Sequence, residues 1–369
     1  MPRLCQSLVE SMTKIESLHF REVKRPLRTL FATALGKKAF LRNVLVSVAL
    51  DDGSIGVGEI PTSFSRKDET VSVIKQILEQ VRTDVAGRPV DEYGEQVRRF
   101  RERFPHGRMT VSGVEVALFR ALLNSTGRSE HAFFGGRANE LETDITVPLV
   151  SDKKALAQWI SYAMRRRFGI FKVKVGGDFQ MDKRLLSLLC ELIRRWERPF
   201  RLRLDGNQGF NVASCLRLME FATREKYPVE LFEQPLRKGD MAGLRKVTEG
   251  SPLPVILDES VESLSDARRV IDAGACHGIN VKIAKSGIVE SLEIMAAARK
   301  GGLKLMIGCM TETMVGLSAA IYCAAGSALF DYVDTDSIHL LHHRKSYGDI
   351  RIEEARFRIT PQNPGCQDA

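Results

Sequence analysis

Residues 201–260 open with Arg201-Leu-Arg-Leu-Asp205-Gly-Asn, pass through Leu231-Phe-Glu233-Gln-Pro and close on Val255-Ile-Leu-Asp258-Glu-Ser. Each is a short run of β-forming residues that ends in an acid. The alternation extends in both directions, with β-rich runs at Asp144–Val150, Ile170–Val175, Arg201–Asp205, Glu230–Glu233, Val255–Asp258, Ile279–Lys282, Lys304–Gly308 and Asp331–Asp334. Amphipathic stretches such as Met181–Trp196, Val212–Arg224, Ser265–Ala273 and Val289–Arg299 lie between them. Eight β segments separated by seven helices is the arithmetic of a parallel α/β barrel. The alternative, a doubly wound open sheet, expects a Gly-rich phosphate loop after its first strand. Thr146-Val-Pro-Leu is followed by none.

The N-terminal part reads differently. Asn43–Leu50, the Asp51-Asp-Gly53 turn and Ile55–Glu59 predict a hairpin, and helical runs follow at Thr70–Val85, Asp91–Phe104 and Val111–Ser125. Strands first and helices afterward predict a separate α+β domain over residues 14–138, ahead of a barrel over 139–344. The tail after Arg344, with strand-like Asp349–Ile352 and Arg356–Ile359, is too short to fold alone and is assigned with the first domain through residue 362.

The chain of 369 residues is 44% hydrophobic and 27% charged, enough to bury a large core without staples. Seven scattered cysteines, with no C-x-x-C pair, exclude a disulfide framework or zinc site. Neither a signal peptide nor an apolar span long enough for a membrane is present, so a cytoplasmic location is the default. The net charge of +9 raises the question of nucleic acid, but the basic residues are dispersed apart from Arg98–Arg103 and Arg165–Arg167. Both clusters lie in helical stretches and read as solvated helix faces. A small-molecule substrate is expected, with no nucleic-acid or membrane partner, and a homo-oligomer as the assembly.

Barrel enzymes place their reacting groups at the C-terminal ends of the strands. Asp205, Glu233 and Asp258 end three consecutive strands and would converge on one point. Unpaired carboxylates there would repel strongly, and a divalent cation removes the conflict. An all-oxygen set favours a hard ion, Mg2+ first, with Mn2+ as the alternative. Lys172 and Lys174 share a face of the second strand, and Lys282 ends the sixth, opposite in an eight-stranded ring. Lysines beside a cation would have lowered pKa values, as general bases require. Lys174 and Lys282 on opposite faces of one carbon have the geometry of a racemase or epimerase, with an enediolate stabilised by the metal. On the last strand, Asp334 and Asp336 share a face and suit a substrate ammonium, although an acidic turn has the same local sequence.

The set Lys172-Val-Lys174, Asp205-Gly-Asn, Glu233-Gln-Pro, Asp258-Glu-Ser and Asn280-Val-Lys282, in that order, resembles the enolase superfamily in its muconate-lactonising subgroup. It is most similar to the dipeptide epimerases, which include the L-Ala-D/L-Glu epimerases, from about Ser17 to Ile359. The resemblance implies a capping domain over a (β/α)7β barrel and a Mg2+-dependent epimerase that inverts the C-terminal residue of a dipeptide. It implies Asp205, Glu233 and Asp258 as metal ligands and Lys174 and Lys282 as the acid/base pair. Lys172 would hold the substrate carboxylate, Asp334-Thr-Asp336 the free amino group, and Thr146 and Cys309 would line the substrate.

Two departures stand out. The Ala-Glu epimerases carry a loop arginine for the glutamate side chain, and Phe31-Ala-Thr-Ala-Leu-Gly36-Lys37-Lys38 puts Gly36 there, with Lys37 or Lys38 as substitutes lacking its fork. Lys285-Ser-Gly287-Ile has one glycine where relatives often have two. Of the other readings, a cycloisomerase or o-succinylbenzoate synthase of the same subgroup would not need the paired acids of the last strand. A non-catalytic barrel binding protein would not be expected to keep both opposed lysines.

Overall fold

A computed structural model of the chain describes residues 13–33, 36–64, 66–147 and 153–360, with no side chains for residues 31–33. Residues 148–150 of the first expected barrel strand, Cys5 and Cys366, and the segment after Thr360 lie outside the described residues.

An antiparallel sheet comes first: β1 (Ile15–Thr33), β2 (Gly36–Leu50) and β3 (Ile55–Ile60), in that order. The expected hairpin is its β2–β3 half, turning at Asp51–Gly53, where Gly53 takes a φ of 86°. The long β1, which pairs with β2 from Ile15↔Leu50 to Thr33↔Gly36, carries polar and basic residues that mask its alternation. Helices Val71–Val85, Tyr93–Arg103 and Arg108–Ser125 pack beside the sheet, the last buried along nearly its whole length. That burial needs a close approach by β3. A Cβ at Gly58 would lie 2.0 Å from the Gly113 carbonyl oxygen, and one at Gly56 2.0 Å from that of Ala117. Only glycine fits at such a backbone contact.

After β4 (Glu140–Glu142), eight parallel strands follow: β5 (Ile145–Val147), β6 (Ile170–Lys174), β7 (Arg201–Asp205), β8 (Val229–Glu233), β9 (Val255–Leu257), β10 (Gly278–Val281), β11 (Lys304–Gly308) and β12 (Tyr332–Asp334). They pair strictly in sequence order. Seven helices alternate with them: Lys153–Arg165, Phe179–Arg194, Val212–Arg224, Met241–Gly250, Leu264–Asp272, Ile283–Lys300 and Met314–Ser327. The ends of the sheet meet where Thr335 N donates to Thr143 Oγ1 at 2.8 Å and Thr146 N to Asp336 Oδ2 at 2.6 Å. The (β/α)7β order read from the sequence is the order observed.

Period-two alternation sorts the strand residues into two cores. One large cluster packs between sheet and helices, while Leu231, Ile256 and Met306, with Tyr332 against them, form a separate small one. Beside Tyr332, Arg203 donates to Asp144 at 2.8 Å and Glu230 at 3.0 Å. One step toward the C-terminal strand ends, the same faces carry Lys174, Asp205 and Glu233 in register.

The tail forms β13 (Ile350–Glu353) and β14 (Arg356–Ile359). They pair with each other and with β4 rather than extending the N-terminal sheet. Among the described residues no helix is long and apolar enough to cross a membrane. The five described cysteines are all free.

Candidate active site

The C-terminal ends of β6 to β10 and β12 bring together every charged residue that the sequence singled out. Asp205, Glu233, Asp258, Glu259, Asp334 and Asp336 are buried there, as are Lys172, Lys174, Lys282 and Lys285. Thr146, Lys172, Lys174, Asp258, Lys282, Cys309, Asp334 and Asp336 line one cleft of about 810 Å³ measured out to its open mouth. Asp205 and Glu233 sit just beneath it.

The lysines and acids interlock. Lys174 Nζ lies 2.5 Å from Asp205 Oδ2. Lys172 Nζ lies 3.0 Å from the same oxygen, 2.7 Å from Glu233 Oε2 and 2.7 Å from Asp334 Oδ2. Across the ring, Lys282 Nζ lies 2.8 Å from Asp258 Oδ2, and Lys285 Nζ 2.6 Å from Oδ1. Lys282 reaches this place over Gly308, where a Cβ would come within 2.8 Å of Lys282 Cε and 2.5 Å of Asn280 Oδ1. Asn280 Nδ2 donates to Glu233 Oε1 at 2.9 Å, and Asn207 N to Asp205 Oδ1 at 3.0 Å.

The electrostatics follow from this crowding. Burial and then Asp205 push Glu233 upward in pKa against the pull of Lys172. Burial opposes ionisation of Asp205, yet Lys172 and Lys174 hold it down to about 2. Asp258 is also depressed, by Lys282 and Lys285 against burial. Glu259 rises to about 8, from burial and then Asp258. Among the protein groups alone, burial lowers the pKa of Lys282, but Asp258 outweighs burial and the net shift is upward; the lowering expected beside a cation belongs to the ion-loaded site.

These residues fit a hard divalent cation. Six buried carboxyl groups face four lysines, and the upward shifts of Glu233 and Glu259 mark a site short of positive charge. Among the described residues Asn207 Oδ1 and Glu259 Oε2 are buried oxygens without hydrogen-bond donors, and with Glu233 Oε2, ion-paired to Lys172, they make an all-oxygen set of the kind that Mg2+ takes. On the other side, one oxygen each of Asp334 and Asp336 lies within 4.8 Å of Cys309 Sγ. Asp336 is raised to about 6 by burial and then by Asp334, with Thr146 N holding its Oδ2. Two carboxylates pressed together in this way favour a cationic guest.

Four features were missed by the sequence reading. Asn207 and Glu259 are cleft residues, signalled only by their place beside Asp205 and Asp258 in the quoted motifs. Thr62, Ser63 and Phe64 bring the N-terminal sheet onto the cleft, a contact between distant segments that no local pattern announces, and Lys38, which the sequence offered in place of the arginine, lines the cleft with them. A Cβ at Gly36 would lie 2.8 Å from Phe64, so this ring packs against the position that lacks the expected arginine, and Lys38 stands 5.5 Å from its centre. Finally, Arg101 belongs to a cluster read as a solvated face. It is instead mostly buried and donates to Glu115 at 3.0 Å and to the Ser286 carbonyl. The single-glycine loop is absorbed: Ser286 Oγ donates to the Glu262 carbonyl at 3.1 Å, and Gly287 supplies a φ of 70°.

The family described as enolase C-terminal domain-like matches residues 155–366. A hydrophobic dipeptide epimerase of Citrifermentans bemidjiense is 33% identical over 93% of this chain and 94% of its own. Among solved structures, a substrate-liganded L-Ala-D/L-Glu epimerase from Bacillus subtilis superposes with a TM-score of 0.88 at 27% identity, covering 94% of this chain and 96% of that one. A dipeptide epimerase from Enterococcus faecalis, complexed with Mg and L-Leu-L-Tyr, gives 0.85 at 25% identity, covering 94% and 97%.

Proposed function

Because the chain belongs to the enolase superfamily, in the muconate-lactonising subgroup and among its dipeptide epimerases, we propose that it is an isomerase inverting the C-terminal α-carbon of a dipeptide. The observation that carries this reading is the pair Lys174 and Lys282. Each is anchored on a different acid, on strands four places apart in the ring, and both face one cleft.

The chemistry follows from that placement. One lysine, neutral at Nζ, takes the α-proton from one face, and the other, as ammonium, returns a proton to the opposite face. No atom is gained or lost overall. Lys172 holds the substrate carboxylate, while Asp334 and Asp336 hold the free ammonium, with Thr146 fixing Asp336 and Cys309 beside it. Asp205, Glu233 and Asp258 would hold Mg2+. When bound, the ion supplies positive charge that steadies the substrate carboxylate as charge builds on it and offsets the pull of Asp258 on Lys282. Asp334-x-Asp336 favours an amine-bearing substrate over those of a cycloisomerase or o-succinylbenzoate synthase. We read residues 14–138 as the capping domain and 139–344 as the barrel. Residues 345–362 are taken with the capping domain, and β13 and β14 within them pair with Glu140–Glu142 at the start of the barrel segment.

A dipeptide library incubated with enzyme and Mg2+ in D2O tests the reading. At least one L,L-dipeptide should gain a single deuteron at its C-terminal α-carbon and appear as the L,D epimer, and its N-acetyl form should react far more slowly. No deuterium in any member, or equal rates for blocked and free forms, would contradict it.

A further inference from the structure

The segment from the end of β10 through the first helical turn to the break at Gly287, a loop closed at both ends, carries two of the four buried lysines, Lys282 and Lys285. Lys285 Nζ donates to Asp258 Oδ1 at 2.6 Å, to the Asp258 carbonyl at 2.7 Å and to the Val261 carbonyl at 3.1 Å. The loop therefore sets where the amines stand and how Asp258 is turned.

What holds the loop comes from the N-terminal part of the chain. Glu115, fully buried in the helix Arg108–Ser125, accepts from Ile288 N at 3.0 Å and Val289 N at 2.7 Å. These are the first amides after the break at Gly287, where the helix Ile283–Lys300 restarts with a φ of 70° and ψ of −165°. A carboxylate on free amides at a helical start is a strong, charge-assisted contact. Arg101 closes the arrangement by donating to both Glu115 and the Ser286 carbonyl. The fit is tight: a Cβ at Gly287 would fall 1.8 Å from Glu115 Oε2 and 2.7 Å from Arg101 Nη2.

We propose that Glu115, braced by Arg101, is a positioning residue that clamps the Lys285–Gly287 loop and so holds Lys282 against one face of the substrate. Neither residue lines the cleft. The clamp stands on geometry alone, while its consequence for one face of the reaction rests on the epimerase reading above. A loosened loop moves Lys282 and leaves Lys174, whose anchor is Asp205 on β7. A displacement of about 1 Å costs on the order of a hundredfold in such a step.

Two measurements on Glu115→Gln and on the milder Arg101→Gln test this. In hydrogen–deuterium exchange, peptides spanning 282–289 should exchange faster in both variants while the β6–β8 peptides stay as in the parent. Unchanged loop exchange overturns the clamp whatever the reaction is. In solvent-deuterium wash-in from each epimer of a reactive dipeptide, the variants should lose roughly tenfold to a hundredfold on the epimer that Lys282→Ala abolishes, and little on the other. Equal losses on both epimers, or none, overturn the positioning role. A loosened loop in an enzyme that exchanges no dipeptide at all would keep the clamp and remove the epimerase reading instead.

Discussion

Asp336 keeps its proton to about pH 6, because burial and the neighbouring Asp334 both disfavour its charge. The folded pKa lies above the unfolded value, so folded protein binds more protons between roughly pH 4 and 6, and this group's contribution to stability falls as pH rises through that window. A bound substrate ammonium offsets the cost by preferring the ionised form. The affinity advantage of a free dipeptide over its N-acetyl form should therefore be large above pH 6 and shrink below it, and Asp336→Asn should remove that pH dependence; calorimetric titration at several pH values reads both. His339 has the opposite sign. It is fully buried, stands edge-on to Phe168, and neither ring nitrogen has a hydrogen-bond partner among the described residues. Burial, with Arg344, Arg166 and Arg28 adding to it, lowers its pKa to about 3. Its contribution is complete above about pH 6.5 and is lost as pH falls toward 3, an effect on the order of several kcal/mol. His339→Phe should flatten the acid limb of a stability-against-pH curve, and an unchanged limb would show that other groups govern it. At this scale the sequence was readable wherever strand alternation decides the outcome. Lys172 and Lys174 two residues apart had to share a face, and they do. The anchor of Lys282 was not readable, since it is the 2.8 Å contact with Asp258, a distance no spacing encodes.

The elements place these residues by close approaches that tolerate no added atom. Lys282 extends over Gly308 on the neighbouring strand. Gly308→Ala should displace the lysine stem and slow α-proton exchange on one epimer, with stability reduced by about 1–3 kcal/mol, as for other overpacked interiors. The β3–helix contact makes a prediction without chemistry in it: Gly58→Ala should lower stability by a similar or larger amount, because its clash is with the Gly113 backbone carbonyl. Urea denaturation measures both. The barrel strands were legible because each is short, apolar and bounded by helical periodicity. β1 was not, since a largely polar strand half open to solvent carries little alternation of its own and is fixed by pairing with β2. The pairing of β13 and β14 with β4 was equally hidden, being a contact between segments more than two hundred residues apart.

For the molecule as a whole, the charge arrangement at the strand ends states what it needs. With six carboxyl groups against four lysines in one buried site, Mg2+ should raise the melting temperature as well as support turnover. Exhaustive chelation should abolish exchange, and Asp258→Asn should weaken the thermal response to Mg2+. The family was legible because five short motifs follow one another in order along the barrel. The shape of the substrate side-chain wall was not, since Phe64 and Lys38 reach the cleft only through docking of the N-terminal sheet. The most direct test is wash-in of deuterium from each of two epimeric dipeptides by Lys174→Ala and Lys282→Ala. Neither variant should invert substrate, and each should retain exchange from the epimer that the other cannot use. Continued inversion by either variant, or loss of the same epimer in both, would contradict the two-amine account.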